Sequence, residues 1–182
     1  PARTGFQRCI SHRETLPGVD QDNVCTIHDV LDGSVIPGNN VLLLDDINGW
    51  PPASQTALYL AKERHMVSYV TATDVVAAQL NSSGAGGTTR RRFWEFGVES
   101  LTSTALMKWE GNTATLLHLY SGEEEQRDFD TLVLATIGEA NDHLSRELAD
   151  DTGMSIHTIG DATCARTAYM AFFEGRKLAL EL

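Results

Sequence analysis

Two aspartates follow a run of apolar residues in the stretch VLLLDDINGWPPAS, Val41 to Ser54. The run is typical of a parallel strand covered on both faces, and the prolines suit the first turn of a helix. Folds that bind a dinucleotide place glycines at such a turn, because its backbone must approach the phosphates. The stretch therefore raises the question of what Asp45 and Asp46 do at a position where that chemistry needs glycine.

The turn lacks all three glycines of a dinucleotide fingerprint, whose positions hold Asp45, Ile47 and Trp50. A branched side chain blocks close approach of the backbone, and Trp50 is expected to hold the helix off the strand. A carboxylate within about 6 Å of a diphosphate repels it by about 1 kcal/mol or more per charge. The next strand ends in Tyr69-Val70-Thr71-Ala72, without the acidic residue that binds the ribose of NAD. The pattern therefore disfavours NAD(P) and favours a domain kept for its fold.

The stretch TIGDAT, Thr158 to Thr163, is a better candidate for ligand binding. A strand predicted over Met154 to Ile159 would deliver Gly160 and Asp161 to the carboxyl edge of a sheet, where doubly wound folds bind ligands. A helix predicted from about Ala165 to Leu182 would point its positive end at the same place. Asp161 is open to two interpretations that do not exclude each other, a ligand-binding carboxylate and a helix cap.

No group of residues indicates catalysis or a metal. There is no Gly-x-Ser-x-Gly motif, no Ser-His-Asp group and no cysteine beside a base. Cys9, Cys25 and Cys164 form no CxxC pair, and none of the six histidines has ligand spacing. We interpret the cysteines as reduced thiols and predict neither a catalytic nor a metal-binding residue.

Composition indicates a soluble, acidic protein. The formal net charge of -11 opposes nucleic-acid binding, and the apolar runs are far shorter than the roughly 20 residues that span a membrane. The one basic cluster, Arg90 to Arg92, is interpreted as a solvated helix start with internal salt bridges. We expect a cytoplasmic protein with no nucleic-acid or membrane partner.

The rest of the chain is divided by turns and changes of period. Residues 1–23 are predicted to form an extended arm, and a short helix follows that ends at Gly33. Residues 41–72 form a βαβ unit. After a flexible loop and a helix over RRRFWEFG, a β-meander turns at Gly111 and Gly122, and a strand follows over Asp130 to Ala135. This order predicts an α/β fold with a Rossmann-like, three-layer parallel sheet and a β-meander.

Five stretches in this order resemble the C-terminal part of the trimethylamine dehydrogenase group of flavin-dependent oxidoreductases. They are LPGVDQDNV, VLLLDDINGWPPASQTALYLA, GVESLTSTAL, FDTLVLATIGEAND and TIGDATCARTAYMAFFEGRKLALEL. The group includes histamine dehydrogenase and is related to 2,4-dienoyl-CoA reductases and to NADH:flavin oxidoreductases of the old yellow enzyme type. The resemblance covers essentially the whole chain.

The resemblance implies two nucleotide-binding-like domains of the glutathione reductase type, one inserted into the other, after an N-terminal barrel. Residues 24–127 would be the NAD(P)-binding-like Rossmann domain, and residues 128–182 the C-terminal part of an FAD/ADP-binding-type domain. The barrel, which carries FMN and a 4Fe-4S cluster in the group, would lie outside this chain and be its main partner.

The resemblance also implies a site for ADP or FAD near the C-terminus. Gly160 and Asp161 match a Gly-Asp pair that meets the cofactor in such enzymes, and Arg166 matches an arginine that commonly follows. Gly138 lies where the group has an Ala-Thr-Gly turn, here interrupted by Ile137. These residues are the expected cofactor-binding set.

We therefore expect a nucleotide-binding-like region of an amine dehydrogenase or of an NADH:flavin oxidoreductase, not catalytic by itself. The alternative is a stand-alone Rossmann-like module for ligand binding or assembly. The strands over Asp130 to Ala135 and Met154 to Ile159 would lack neighbours in this chain. Because unpaired strand edges associate, we expect either a homodimer that pairs them or a flexible C-terminal lobe.

Overall fold

The computed structural model describes residues 15–46, 49–138, 140–149 and 155–182. The chain divides into two compact units between Thr136 and Ile137. We refer to residues 6–136 as the N-terminal unit and to residues 137–182 as the C-terminal unit.

The N-terminal unit contains a five-stranded parallel sheet and a three-stranded antiparallel meander. The sheet strands, in chain order, are β1 (Val24–Thr26), β2 (Asn40–Asp45), β3 (Met66–Thr71), β4 (Glu99–Leu101) and β8 (Thr131–Ala135). Their spatial order is β1-β8-β2-β3-β4, and every neighbouring pair is parallel. The meander consists of β5 (Thr104–Glu110), β6 (Thr113–His118) and β7 (Glu124–Asp128). The predicted turns at Gly111 and Gly122 are confirmed, and both glycines have positive φ.

Three helices connect these strands: α1 (Ile27–Leu31), α2 (Pro51–Lys62) and α3 (Ala85–Glu95). Thr26 and Asp29 cap α1 reciprocally, and Pro51 occupies the first turn of α2, where its missing N–H costs nothing. The βαβ unit over residues 41–72 is thus confirmed. The predicted flexible loop is wrong in part, because Ala78–Asn81 forms a 3-10 helix and α3 already begins at Ala85.

The basic cluster lies within α3 rather than at its start. Arg91 forms an exposed ion pair with Glu95 at 2.7 Å. Arg90 donates hydrogen bonds to the carbonyl of Val76 at 3.0 Å and to the side chain of Asn81 at 3.1 Å. The predicted internal salt bridge is therefore present between Arg91 and Glu95. Arg90 connects α3 to the 3-10 segment through Asn81.

The two faces of β2 explain its unbroken apolar sequence. Val41 and Leu43 belong to the core cluster that includes α2, whereas Leu42 and Leu44 belong to the cluster that includes the meander. All four side chains are at most 3% exposed. Burial of each of these side chains stabilises the fold by about 1.5–3 kcal/mol. Because both faces of β2 are covered, the sheet is the middle of three layers.

The described part of the predicted arm is packed against the meander, so that prediction is wrong for residues 15–23. Leu16 and Val19 are buried in the core cluster of the meander. Gly18 has φ +92, and a Cβ there would lie 1.8 Å from the carbonyl oxygen of Trp109. The turn at Pro17-Gly18 allows both Leu16 and Val19 to reach the core. The composition of this segment, taken alone, is typical of an exposed turn. Residues 1–14 lie outside the described residues.

Strand β8 belongs to the N-terminal unit, although the sequence analysis assigned it to residues 128–182. Leu132 pairs with Val24 of β1 on one side and with Leu42 of β2 on the other. Both edges of β8 are therefore occupied within this chain, and it does not offer the unpaired edge on which the expected homodimer was based. The chain leaves this sheet after Ala135 and divides at 136/137.

The C-terminal unit contains α4 (His143–Ala149), a 3-10 turn at Gly160–Ala162 and α5 (Ala168–Glu181). Residues 155–159 are not a strand, because no strand in the described part of the chain pairs with them; Met154 lies outside it. Helix α5 begins three residues later than predicted. Its cap is Thr167, whose side chain accepts a hydrogen bond from the Met170 backbone at 3.4 Å.

Candidate functional site

The turn after β2 is organised around the carboxylate of Asp45. This side chain is 2% exposed, and its Oδ2 atom accepts three hydrogen bonds. The donors are the Gly49 backbone N–H at 2.8 Å, the Tyr69 hydroxyl at 2.6 Å and the Thr71 hydroxyl at 3.1 Å. Asp45 therefore engages a backbone N–H of the turn that a phosphate would otherwise meet.

Strand β3 supplies two of these donors. Thr71 stands directly opposite Asp45 in the parallel register, and this position brings its hydroxyl to the carboxylate. The ring of Tyr69 makes an edge contact with Phe93 at 5.2 Å. Burial, and then the Asp45 carboxylate, raise the pKa of Tyr69, so the hydroxyl stays protonated and donates. Tyr69 was not predicted as a site residue, because its partner is set by strand register.

The other side of the turn is covered by the chain itself. Gly49 is buried with φ +76, and a Cβ there would lie 2.4 Å from the backbone nitrogen of Ala78. Only glycine combines this conformation with so close an approach. Asp46 is also buried, and its N–H donates to the Ala135 carbonyl at 2.9 Å, extending the contact with β8. Ile47 lies outside the described residues.

Trp50 does not hold the body of α2 away from the sheet. Ala53 and Ala57 are 0% exposed and belong to the same core cluster as Val41 and Leu43. Trp50 is half-buried at the N-cap of α2 and makes no side-chain cap hydrogen bond. The small residues of the helix therefore allow close packing, contrary to the sequence-based expectation.

In the C-terminal unit, the 3-10 turn brings Gly160 close to α5. Gly160 is buried with φ +63, and a Cβ there would lie 3.3 Å from the Cβ of Ala171. Its backbone N–H donates to Oε2 of Glu174 at 2.8 Å. Gly138 approaches the same loop, since a Cβ there would lie 3.2 Å from the Cβ of Ala165.

Arg166 is held by the same carboxylate as Gly160. Its guanidinium forms an ion pair with Glu174, and its Nε donates to the Cys164 carbonyl at 3.2 Å. The Arg166 backbone N–H donates to Oδ1 of Asp161 at 3.2 Å. The Gly160 N–H, and then Arg166, lower the pKa of Glu174, so this group is ionised at neutral pH.

The four predicted site residues thus lie in one unit, and two of them, Gly160 and Arg166, contact Glu174, which sequence analysis missed. Asp161 is exposed and is not the cap of α5, which is Thr167. Glu174 follows Gly160 by fourteen residues, a spacing without a local signal. Glu174 meets Gly160 only because α5 folds back onto the loop.

Other site types find no support among the residues that the structure describes. No group of three or more His, Cys, Asp and Glu side chains there could hold a metal ion. Of the three cysteines, Cys25 is buried and Cys164 is exposed, and Cys9 lies outside the described part. No helix in the described ranges has the length and apolar character needed to cross a membrane.

Comparison with known proteins finds similarity to several solved structures. No family model matches the chain, and no curated protein sequence matches it. The 6-hydroxypseudooxynicotine amine oxidase of Pseudomonas geniculata N1 matches 95% of this chain with 27% identity and a TM-score of 0.89. Histamine dehydrogenase from Rhizobium sp. 4-9 matches 97% with 18% identity and a TM-score of 0.89. A 2-naphthoyl-CoA reductase matches 94% with 22% identity and a TM-score of 0.81.

The chain spans about a quarter of the length of these proteins, 26%, 28% and 25% respectively. Its parallel sheet and meander define an α/β protein of the FAD/NAD(P)-binding class, since thioredoxin reductases also match at a TM-score of 0.65. Within this class the chain is similar to the trimethylamine dehydrogenase and histamine dehydrogenase group. The fold class and the resemblance predicted from sequence are therefore confirmed.

Proposed function

We propose that the chain is the C-terminal nucleotide-binding-like region of a flavin-dependent oxidoreductase similar to trimethylamine dehydrogenase. The observation that carries this proposal is the match to an amine oxidase over 95% of the chain but only 26% of that protein. The remaining part of the parent protein would supply the barrel with FMN and a 4Fe-4S cluster. The parent would be a cytoplasmic amine dehydrogenase or NADH:flavin oxidoreductase.

The proposal is tested by the mass and the visible spectrum of the native polypeptide. We expect a protein several times larger than this chain, with the visible absorption of a bound flavin, because the flavin would supply the redox chemistry. A native polypeptide of about the size of this chain without flavin absorption would instead establish the alternative, a stand-alone module.

We further propose that the N-terminal unit keeps a degenerate dinucleotide site and binds no NAD(P). Asp45 supports this proposal, because its carboxylate already holds the Gly49 N–H together with two hydroxyl groups. A diphosphate at this turn would have to displace a buried carboxylate or lie beside it. Both alternatives are unfavourable, since like charges repel strongly in a site of low exposure.

Purified protein is expected to show no binding of NADH or NADPH to the N-terminal unit at sub-millimolar concentrations. Calorimetric titration of either dinucleotide, with the C-terminal site first saturated with ADP, isolates the N-terminal unit. The matched control is ADP titrated into the same protein before saturation, which shows that the protein binds nucleotides at all. A one-to-one isotherm with micromolar affinity for NADH or NADPH would contradict the degenerate site.

The C-terminal unit is proposed to bind the adenine nucleotide, ADP or FAD, through Gly160, Asp161, Arg166 and Gly138. Asp161 supports this assignment because its carboxylate is exposed beside the 3-10 turn and can accept hydrogen bonds from ribose hydroxyls. Gly138 and Gly160 have no side chain at the two positions where the backbone comes close to Ala165 and Ala171. Arg166 carries the positive charge that a diphosphate requires.

A further inference from the structure

Each unit places one of its own carboxylates against a backbone N–H of its candidate ligand loop. In the N-terminal unit Asp45 accepts from Gly49, and in the C-terminal unit Glu174 accepts from Gly160. The two carboxylates differ in accessibility. Asp45 is 2% exposed, whereas the side chains of Glu174 and Arg166 are 22% and 32% exposed.

We propose that Glu174 occupies the place of a phosphate in the nucleotide-free C-terminal site and is displaced when an adenine nucleotide binds. This inference rests on the proposed function of that site. The Gly160 N–H and the Arg166 guanidinium are both donors of the kind that phosphate oxygens accept from, and Glu174 engages both. Glu174 thereby sets the affinity of the site for diphosphates.

The exchange follows from the chemistry of the two acceptors. A diphosphate carries more negative charge and more acceptor oxygens than one carboxylate, so it can take over both hydrogen bonds. After the exchange, the Gly160 N–H and the Arg166 guanidinium each still have a negatively charged acceptor. Glu174, however, loses both of its bonds, and this loss lowers the affinity of the wild-type protein for nucleotide.

Helix α5 offers Glu174 a second partner once it is displaced. Lys177 lies three residues further along the helix, a spacing that brings two side chains together on one helix face. Lys177 already contributes to the lowered pKa of Glu174. The long side chain of Glu174 can therefore turn toward Lys177 and solvent without any change in the helix.

Asp45 has no such alternative. Its acceptor atom binds two hydroxyl groups of a neighbouring strand in addition to the N–H of Gly49. Releasing it would leave buried donors without an acceptor, which costs about 1–3 kcal/mol for each group. The carboxylate of the N-terminal unit is therefore fixed, and that of the C-terminal unit is exchangeable.

The test is calorimetric titration of ADP into nucleotide-free full-length protein and its variants. Glu174→Gln removes the charge that competes with phosphate but keeps the shape, and we expect affinity for ADP to rise about threefold to tenfold. Glu147→Gln is the matched control, because it removes the same charge from an exposed position on α4 of the same unit. Its affinity is expected to stay within about twofold of the wild type.

Two outcomes separate the inference from the function on which it rests. If wild type binds ADP and Glu174→Gln binds it equally or more weakly, the displacement is wrong and the nucleotide site stands. If neither protein binds ADP, the proposed site and the displacement both fall. Should Glu174→Gln not fold, Glu174→Asp is the second variant. It retains the charge, but its side chain is too short to hold both the Gly160 N–H and the Arg166 guanidinium, so the affinity for ADP is expected to rise as well. An unchanged or lower affinity would overturn the inference.

Discussion

Replacing Asp45 by alanine is expected to lower the free energy of unfolding of the N-terminal unit by about 3–5 kcal/mol, because buried hydroxyl and N–H donors lose their acceptor at about 1–3 kcal/mol each. The donors are Gly49, Tyr69 and Thr71, and partial rearrangement keeps the loss below the sum. Urea unfolding followed by tryptophan fluorescence measures this change. All three tryptophans, Trp50, Trp94 and Trp109, lie in the N-terminal unit.

Asp74→Ala is the matched control for this prediction. Asp74 also accepts hydrogen bonds from a serine and a tyrosine, Ser103 at 3.1 Å and Tyr120 at 2.7 Å, but its side chain is exposed. Water can replace the lost acceptor there, so the expected cost is about 1 kcal/mol or less. An equal effect of the two substitutions would show that burial of Asp45 does not set its contribution.

Replacing Asp161 by alanine in the proposed parent flavoenzyme is expected to lower its affinity for the proposed adenine nucleotide about tenfold to a hundredfold. The estimate is the loss of one hydrogen bond to a charged group, about 1.5–3 kcal/mol. The exposed Asp161 carboxylate sits on the 3-10 turn, where it also accepts from the Arg166 backbone. Nucleotide content after purification, measured by chromatography of the acid extract, should fall, while flavin held in the barrel should stay.

Asp142→Ala serves as the control for Asp161→Ala. Asp142 belongs to the same unit, directly precedes α4 and forms an ion pair with Arg146 at 2.7 Å, so its carboxylate is engaged with a residue outside the predicted site set. Its loss is expected to leave both nucleotide and flavin content unchanged. Loss of flavin with unchanged nucleotide in the Asp161 variant would show that the role carried over from the resembling enzymes is wrong.

Local patterns in the sequence were sufficient for the elements around the first turn. The apolar run of β2, Pro51 and the small residues of α2 are encoded within twenty residues, and the structure confirms them. By contrast, the position of β8 between β1 and β2 depends on pairing between distant segments, which no local pattern records. The strand was found, but its place in the sheet was not.

The same limit applies to the sites. Gly160, Asp161 and Arg166 were predicted because they follow one another in a recognisable order, and the structure brings them together. Tyr69 and Glu174 were missed because each meets its partner only through tertiary packing. The strand predicted over Met154 to Ile159 is absent over its described part, residues 155–159, for a related reason, since an extended segment becomes a strand only when a neighbour pairs with it.

The central position of β8 has a consequence for synthesis of the chain. Strands β1 and β2 leave the ribosome long before β8, yet they are not neighbours in the sheet, because Leu132 pairs with both Val24 and Leu42. A nascent chain synthesised only as far as Leu101, the end of β4, therefore holds two strands whose shared partner does not yet exist. Their apolar edges stay open during that interval and are a risk for association. Translation speed through the meander thus sets how long this unit remains vulnerable.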